Sequence, residues 1–243
     1  MATLLLRLAA PLQSWGADSK FETRKTGREP TKSGVVGLLA AALGMRRDDT
    51  RALEPLNRLH FGVRVDQEGA LLMDYHTANN PRPDEVKKAR KKGQKIQAPY
   101  VTRRYYLADA VFLVGLESED RSLLEQLQWA LSHPVYPLFL GRRSCPPTLP
   151  LCLGIRPGSL LDALRAEPSL APAWQRKPQT QTRIVADAGP SEAGAVPRRD
   201  LPLSFSPIHR QFGYRPVQEL PVALPTAVPA EEETTHDPFA ELR

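Results

Sequence analysis

Pro30-Thr31-Lys32-Ser33-Gly34-Val35-Val36-Gly37-Leu38-Leu39-Ala40-Ala41-Ala42-Leu43-Gly44 sets the frame for this chain. Its body is almost wholly apolar, while its first turn is polar, basic and glycine-containing. The pattern predicts a buried helix over 31–43, closed by Gly44. A helix start leaves backbone N–H groups without partners and carries partial positive charge. With the Lys32 ammonium, the Ser33 hydroxyl and Gly34 to permit close approach, such a start suits phosphate. Arg24, Lys25 and Arg28 lie in the arm just before it. A basic mouth on a buried helix points to a nucleic-acid ligand.

Further elements flank this helix. Residues 3–8 are an apolar strand ended by Ala10-Pro11. Leu59, Phe61, Val63 and Val65 alternate with polar or small residues, the mark of a half-buried strand. Val111–Leu116 is a continuous apolar run suited to a central strand. Leu123, Leu124, Leu127, Ala130 and Leu131 recur at helical spacing until Pro134, and Val135–Leu140 reads as a fourth strand. Strand, helix, strand, insertion, strand, helix, strand is an α+β order. It is the ferredoxin-like plan that RNA-recognition domains also use.

The insertion, 67–108, carries the charge. Its two arms, Leu71–His76 and Val101–Leu107, read as hairpin strands around a polar middle expected to form a mobile tip. Residues 82–104 hold nine Lys or Arg against Asp84 and Glu85, so this segment is +7 in a chain of net charge +6. Charge so concentrated is a local footprint for polyanions. Eighteen of the 24 prolines fall from residue 134 onward, which predicts a small Pro-rich β lobe over 146–223. Strands are expected there at Thr182–Val185 and Arg210–Val217. The acidic stretch 224–243 is expected to be disordered.

Several functions are disfavoured. No apolar run is long enough to span a bilayer, and the opening residues make no secretory signal. A cytoplasmic protein without membrane partners is expected. The two cysteines, Cys145 and Cys152, make no disulfide framework and no zinc pair. The five histidines lack metal-site spacing, and neither a P-loop nor a GxSxG elbow occurs. No cofactor, metal or catalytic residue is assigned, and the chain is not expected to be an enzyme. The alternative is a metal-independent endoribonuclease acting on precursor RNA through His76 beside Tyr75. A generic basic single-strand binder is a third reading.

The ordered motifs resemble a known family. Leu6-Arg7-Leu8-Ala9-Ala10-Pro11-Leu12-Gln13-Ser14-Trp15-Gly16 opens the set, followed by Thr23 to Gly34 and the helix to Arg46-Arg47-Asp48-Asp49. Asp74-Tyr75-His76-Thr77 and Pro137-Leu138-Phe139-Leu140-Gly141-Arg142-Arg143-Ser144-Cys145-Pro146 complete it. Together they resemble the CasD family of type I-E CRISPR surveillance complexes (Cascade), within the RAMP superfamily. The resemblance implies a non-catalytic subunit that binds the five-prime handle of CRISPR RNA and caps the CasC backbone filament. It also implies contact with the large subunit CasA, and with target DNA near the handle–spacer junction, in antiviral defence. The inserted hairpin falls where the family's thumb should be, on a ferredoxin-like domain spanning 1–145.

The candidate RNA contacts are accordingly Gln13, Ser14, Trp15, Arg24, Lys25, Arg28, Lys32, Ser33 and Gly34 near the first helix. Arg142, Arg143 and Ser144 follow a glycine, where arginine forks suit phosphates and base edges. Tyr75, His76, Arg103, Arg104 and Tyr105, with Tyr106 next to them, flank the thumb, interleaving aromatics with charge as single-strand binders do. Lys87, Lys88, Arg90, Lys91, Lys92 and Lys95 are expected to make sequence-independent phosphate contacts.

Overall fold

The computed structural model describes residues 1–16, 22–78, 83–94, 100–172, 182–189 and 192–222. The chain opens with β1 (Ala2–Ala9), the short β2 (Leu12–Gln13) and β3 (Thr23–Arg24), then α1 (Lys32–Ala42). The Thr31 hydroxyl accepts the Gly34 N–H and caps α1. A short α2 (Glu54–Asn57) leads into β4 (His60–Gln67). Next come β5 (Ala70–Ala78), α3 (Pro83–Lys91), β6 (Tyr100–Ala108) and β7 (Val111–Ser118). α4 (Arg121–Ser132), β8 (Cys152–Pro157), α5 (Leu160–Ala166), β9 (Thr182–Asp187), β10 (Val196–Ser204) and β11 (Gln211–Val222) complete the chain.

Seven strands form one sheet in the order β10-β11-β9-β4-β7-β1-β8, antiparallel at every pairing. Alternation along β1 divides its residues between the two faces. Leu4, Leu6 and Leu8 join Phe61, Val63, Val65, Phe112 and Val114 in a core that holds the apolar faces of α1 and α4. Leu5 and Leu113 point the other way, onto Leu160 and Leu164 of α5 and Ile184 of β9. Burying each such side chain contributes roughly 1.5–3 kcal/mol, which is why these apolar stretches dictate the central strands.

Two expectations about this sheet are corrected. Val135–Leu140 is not its fourth strand; β8 pairs with β1 in that place. Pro134 precedes the run and Pro137 interrupts it, and Val135 is exposed. The Val135 and Tyr136 N–H groups instead donate to Ala42 and Ala41 carbonyls at the end of α1. The strands after residue 146 are likewise not a separate β lobe. β8 joins one edge of the main sheet, and β9 pairs with β4 on the other side, with Gly62 opposite Ala186. Proline content signals irregular connections but cannot reveal this shared sheet. The stretch 224–243 lies outside the described residues.

A second, smaller sheet carries the insertion. β5 and β6 pair from Ala70↔Ala108 to Ala78↔Tyr100, while β2 and β3 lie along the opposite edge of β6. The middle of the insertion contains a helix with no buried residue, where the sequence predicts only a mobile tip. Polarity prevents α3 from packing but not from coiling. Asp84 and Glu85 in its first turn and Lys88, Arg90 and Lys91 in its last complement the helix dipole.

Candidate nucleic-acid interface

The entrance of α1 is already occupied by the protein's own carboxylates. The Lys32 N–H donates to Asp200 Oδ2 at 2.9 Å, so an internal anion takes the position expected for a ligand phosphate. Lys32 Nζ donates to the Leu59 carbonyl at 2.8 Å and to Asp187 Oδ2 at 3.0 Å, and the residue is buried. Burial pulls its ammonium below the ordinary lysine range, while Asp187 pulls it back. Arg215 closes the cluster, bonding Asp200 through Nε and Nη2 and Asp187 through Nη1. Lys32 is therefore corrected from a phosphate contact to part of a buried network. Its acid partners lie more than 150 residues away, where no local pattern advertises them.

The neighbouring Gln13-Ser14-Trp15 is scaffold as well. Trp15 is 1% exposed, so the base-stacking role is corrected to core packing. Its Nε1–H donates to Gln13 Oε1, and Gln13 Nε2 donates to the Leu8 and Ala110 carbonyls. Gly34 serves this ring rather than a ligand: a Cβ there would lie 2.9 Å from Trp15 Cε3. The Ser14 hydroxyl donates to the Tyr105 carbonyl and is buried. Gln13, Ser14 and Trp15 thus support the small sheet without presenting groups to solvent, and Gly34 is a half-buried packing position against the Trp15 ring. Ser33 is half-buried, with its hydroxyl on Thr31.

The Gly141 turn is built differently. The Ser14 N–H donates to the Leu140 carbonyl, and the Leu140 N–H and Cys145 carbonyl close the turn from the other side. Gly141 has φ +84°, and a Cβ there would fall 1.7 Å from the Ser14 carbonyl oxygen. Only glycine fits this close approach. The turn delivers Arg142 over the Tyr106 ring, with its guanidinium carbon 4.6 Å from the ring centroid. Nη2 donates to the Arg24 carbonyl at 3.0 Å, whereas Nη1 is buried without a hydrogen-bond partner among the described residues. A charged donor left open in this way has binding capacity to offer an incoming acceptor. Arg143 and Ser144 are exposed beside it. Burial raises the Cys145 thiol pKa, with the Ser144 hydroxyl and the Arg142 charge opposing, so Cys145 is a packed neutral thiol.

Strand register sorts the remaining candidates. Residues paired across strands share a face, and neighbours along a strand do not. Leu72, Asp74 and His76 of β5 therefore share a face with Tyr106, Arg104 and Thr102 of β6. Arg24 lies on that face too, opposite Arg104. Arg24 and Arg104 thus share a face with Tyr106, over whose ring Arg142 lies, while Arg104 Nε donates to the Thr102 hydroxyl on that same face. Sequence reasoning includes Tyr106 among the aromatics flanking the thumb, but cannot pair it with an arginine 36 positions later. Leu71, Met73 and Tyr75 share the other face with Leu107, Tyr105 and Arg103. Tyr75 and His76 consequently point to opposite faces, which disfavours their acting together on one phosphate.

The other basic residues stay outside these two groups. Lys25 is exposed, and Arg28 lies 3.7 Å from Glu68 in a solvent-exposed ion pair. Lys87, Lys88, Arg90, Lys91 and Lys92 are exposed on or just after α3, and Lys95 lies outside the described residues. No cluster of three metal-ligating side chains occurs among the described residues. No described helix is long and apolar enough to cross a membrane.

Comparisons with known proteins agree on the family. Residues 3–218 match the model for "CRISPR-associated protein (Cas_Cas5)". The chain is 42% identical to the CRISPR system Cascade subunit CasD of Escherichia coli (strain K12) over 162 residues, 62% of this chain and 70% of that one. It superposes on a chain of a solved CRISPR RNA-guided surveillance complex with TM-score 0.76 and 33% identity, covering 92% of this chain and 91% of the other. A crystal structure of a Cas protein matches with TM-score 0.66 and 40% identity, over 90% and 94%. The family match takes in both sheets, the Gly141 turn and the inserted hairpin, and on that extent the chain belongs to the CRISPR-associated Cas_Cas5 family.

Proposed function

We propose that this chain is a non-catalytic subunit of a Cascade-type CRISPR surveillance complex and holds the five-prime handle of CRISPR RNA. The observation that carries the reading is the Arg142 guanidinium, fixed over Tyr106 with Nη1 unpartnered and with Arg24 and Arg104 on the same face. Arginine held flat on an aromatic ring loses little freedom on binding and keeps its fork aimed at phosphate or a base edge. The strand order β8-β1-β7-β4, with α1 and α4 over one face, supports a ferredoxin-like core of the RNA-recognition type. On this reading β5, α3 and β6 are the thumb, and the lysines of α3 meet nucleic-acid backbone without reading sequence. CasC, CasA and target DNA near the handle–spacer junction are the proposed neighbours, and antiviral defence is the proposed role.

The test is handle affinity in reconstituted complex. Replacing Arg142 and Arg143 together by Ala should weaken handle binding. The slope of log affinity against log salt should become shallower by about 0.7 for each phosphate no longer neutralised. Unchanged affinity and an unchanged slope in a folded double variant would refute the assignment. Incubating the purified protein with labelled repeat RNA in EDTA addresses the nuclease alternative; no product is expected.

A further inference from the structure

The small sheet joins the main body through short connections. Glu68-Gly69 links β4 to β5, and Asp109-Ala110 links β6 to β7. These two links touch: Gln67 Nε2 donates to the Asp109 carbonyl at 2.7 Å, and a Cβ on Gly69 would lie 2.7 Å from the Ala108 carbonyl oxygen. A further connection, residues 25–31, runs from β3 to α1. Packing does not fix β5 itself, since none of its described residues is buried. Arg183 of β9, opposite Val65 of β4, reaches two of these connections at once. Its Nη2 donates to Glu68 Oε1 at 3.0 Å and to Glu29 Oε2 at 3.2 Å, while Nη1 lies 3.5 Å from Glu219 Oε2. Among the described residues, no other side chain of the main sheet is bonded to both Glu29 and Glu68.

We propose that Arg183 is a positioning residue: it braces the small sheet at a fixed angle to the main sheet, and so sets how Arg24 and Arg104 stand relative to Arg142. Two features favour a brace over simple neutralisation. The first is that neither acid depends on Arg183 for a counter-charge. Glu29 also pairs with Arg198 at 2.7 Å, and Glu68 with Arg28 at 3.7 Å. What Arg183 adds is the bridge between them, for which a planar fork of several donors is suited. The second is burial. The Arg183 side chain is 18% exposed and that of Glu29 11%, so this pair is screened by salt less than an ordinary surface pair. The consequence for Arg142 rests on the handle-binding reading. Arg142 comes from the turn after α4, whereas Arg24 and Arg104 belong to the small sheet. A small sheet free to tilt would present all three together only part of the time, and apparent affinity falls with that fraction.

The experiment reads the angle directly in the full chain. Spin labels on genetically encoded residues at Thr77 of β5 and Gln126 of α4, both exposed, avoid the two cysteines. Pulsed dipolar spectroscopy should give one narrow distance distribution in the otherwise wild-type chain. Arg183→Gln should move population away from that distance, and Glu68→Ala should do the same. The double variant should move no more than the larger single change, because both remove one bridge. Glu219→Gln should leave the distribution as it is, since Glu219 lies on β11 within the main sheet. Glu68 is 41% exposed, so its variant should fold and decides the matter even if Arg183→Gln does not. A distribution unchanged by Glu68→Ala, or by a folded Arg183→Gln, would overturn the brace. Handle affinity in the assembled ribonucleoprotein is then measured on unlabelled variants. If about half the population keeps the wild-type distance, affinity should fall about twofold. A shifted distribution with unchanged handle affinity would uphold the brace and count against the handle site instead.

Discussion

The α1 entrance and the Gly141 turn look alike in one dimension: each is a glycine beside basic and hydroxyl residues, next to an apolar stretch. In three dimensions they are opposites. At α1, Lys32 and the open helix start meet Asp187 and Asp200, and Arg215 completes a buried set of two cations and two anions. At the turn, Arg142 meets an aromatic ring and one carbonyl, with no carboxylate within ion-pair distance among the described residues and one nitrogen unmatched. Basic residues therefore identify a ligand site only after the protein's own acids have been placed.

The sharpest way to break this contrast is Asp200→Ala. It leaves Arg215 with Asp187 alone and uncovers the α1 entrance, and removing one partner of a buried ion pair costs about 3–5 kcal/mol. Urea unfolding should show that destabilisation, and Asp200→Ala with Arg215→Ala should cost less than the two single changes added. Purely additive costs would mean that the cluster does not act as a unit. Gly141→Ala should come next. It imposes a left-handed penalty of roughly 1–2 kcal/mol on a non-glycine residue, plus the clash with the Ser14 carbonyl. Its expected signature is a fall in both stability and handle binding. Arg142→Ala should separate those two quantities, because it removes a partly exposed cation–π interaction worth about 0.5–1 kcal/mol. Thermal stability should barely move while handle binding weakens. A large fall in melting temperature for Arg142→Ala would put it in the same class as Lys32.

The smallest expected effect concerns α4, away from both regions. Asp120 accepts the Leu123 N–H and the Ser122 hydroxyl, and these bonds, that from Ser122 foremost, hold its carboxyl below the usual aspartate range. A depressed carboxyl stabilises the fold fully above its unfolded pKa and loses that contribution as pH falls through its folded value. Asp120→Ala should therefore lower the melting temperature slightly at neutral pH. The gap to wild type should close in acid.

Central strands and long helices are legible in the sequence because burial leaves a period: β1, β4, β7, α1 and α4 all appear in the alternation or spacing of Leu, Val and Phe. The hairpin is legible in outline from apolar arms around a charged middle. The edge strand β8 is not, since Cys152–Pro157 is short and half-buried and the decoy at Val135–Leu140 is more apolar. The site divides along the same line. Arg142 is legible as a candidate because Gly-Arg-Arg is local. Lys32 misleads because its partners Asp187 and Asp200 belong to strands that tertiary pairing alone brings to α1. Faces of the hairpin can be sorted only once Ala70↔Ala108 fixes the register.

The carboxylate of Asp200 on the α1 entrance, 168 residues downstream of Lys32, also bears on how the molecule is born. An emerging polypeptide can wind α1 early, but the Lys32 N–H and ammonium lack their carboxylate partners until β9 and β10 have left the ribosome. Pairings between such distant segments are the slow ones in folding. Completion of the amino-terminal half is thereby tied to arrival of the carboxy-terminal strands, so a stalled fragment would lack both halves of a finished interior.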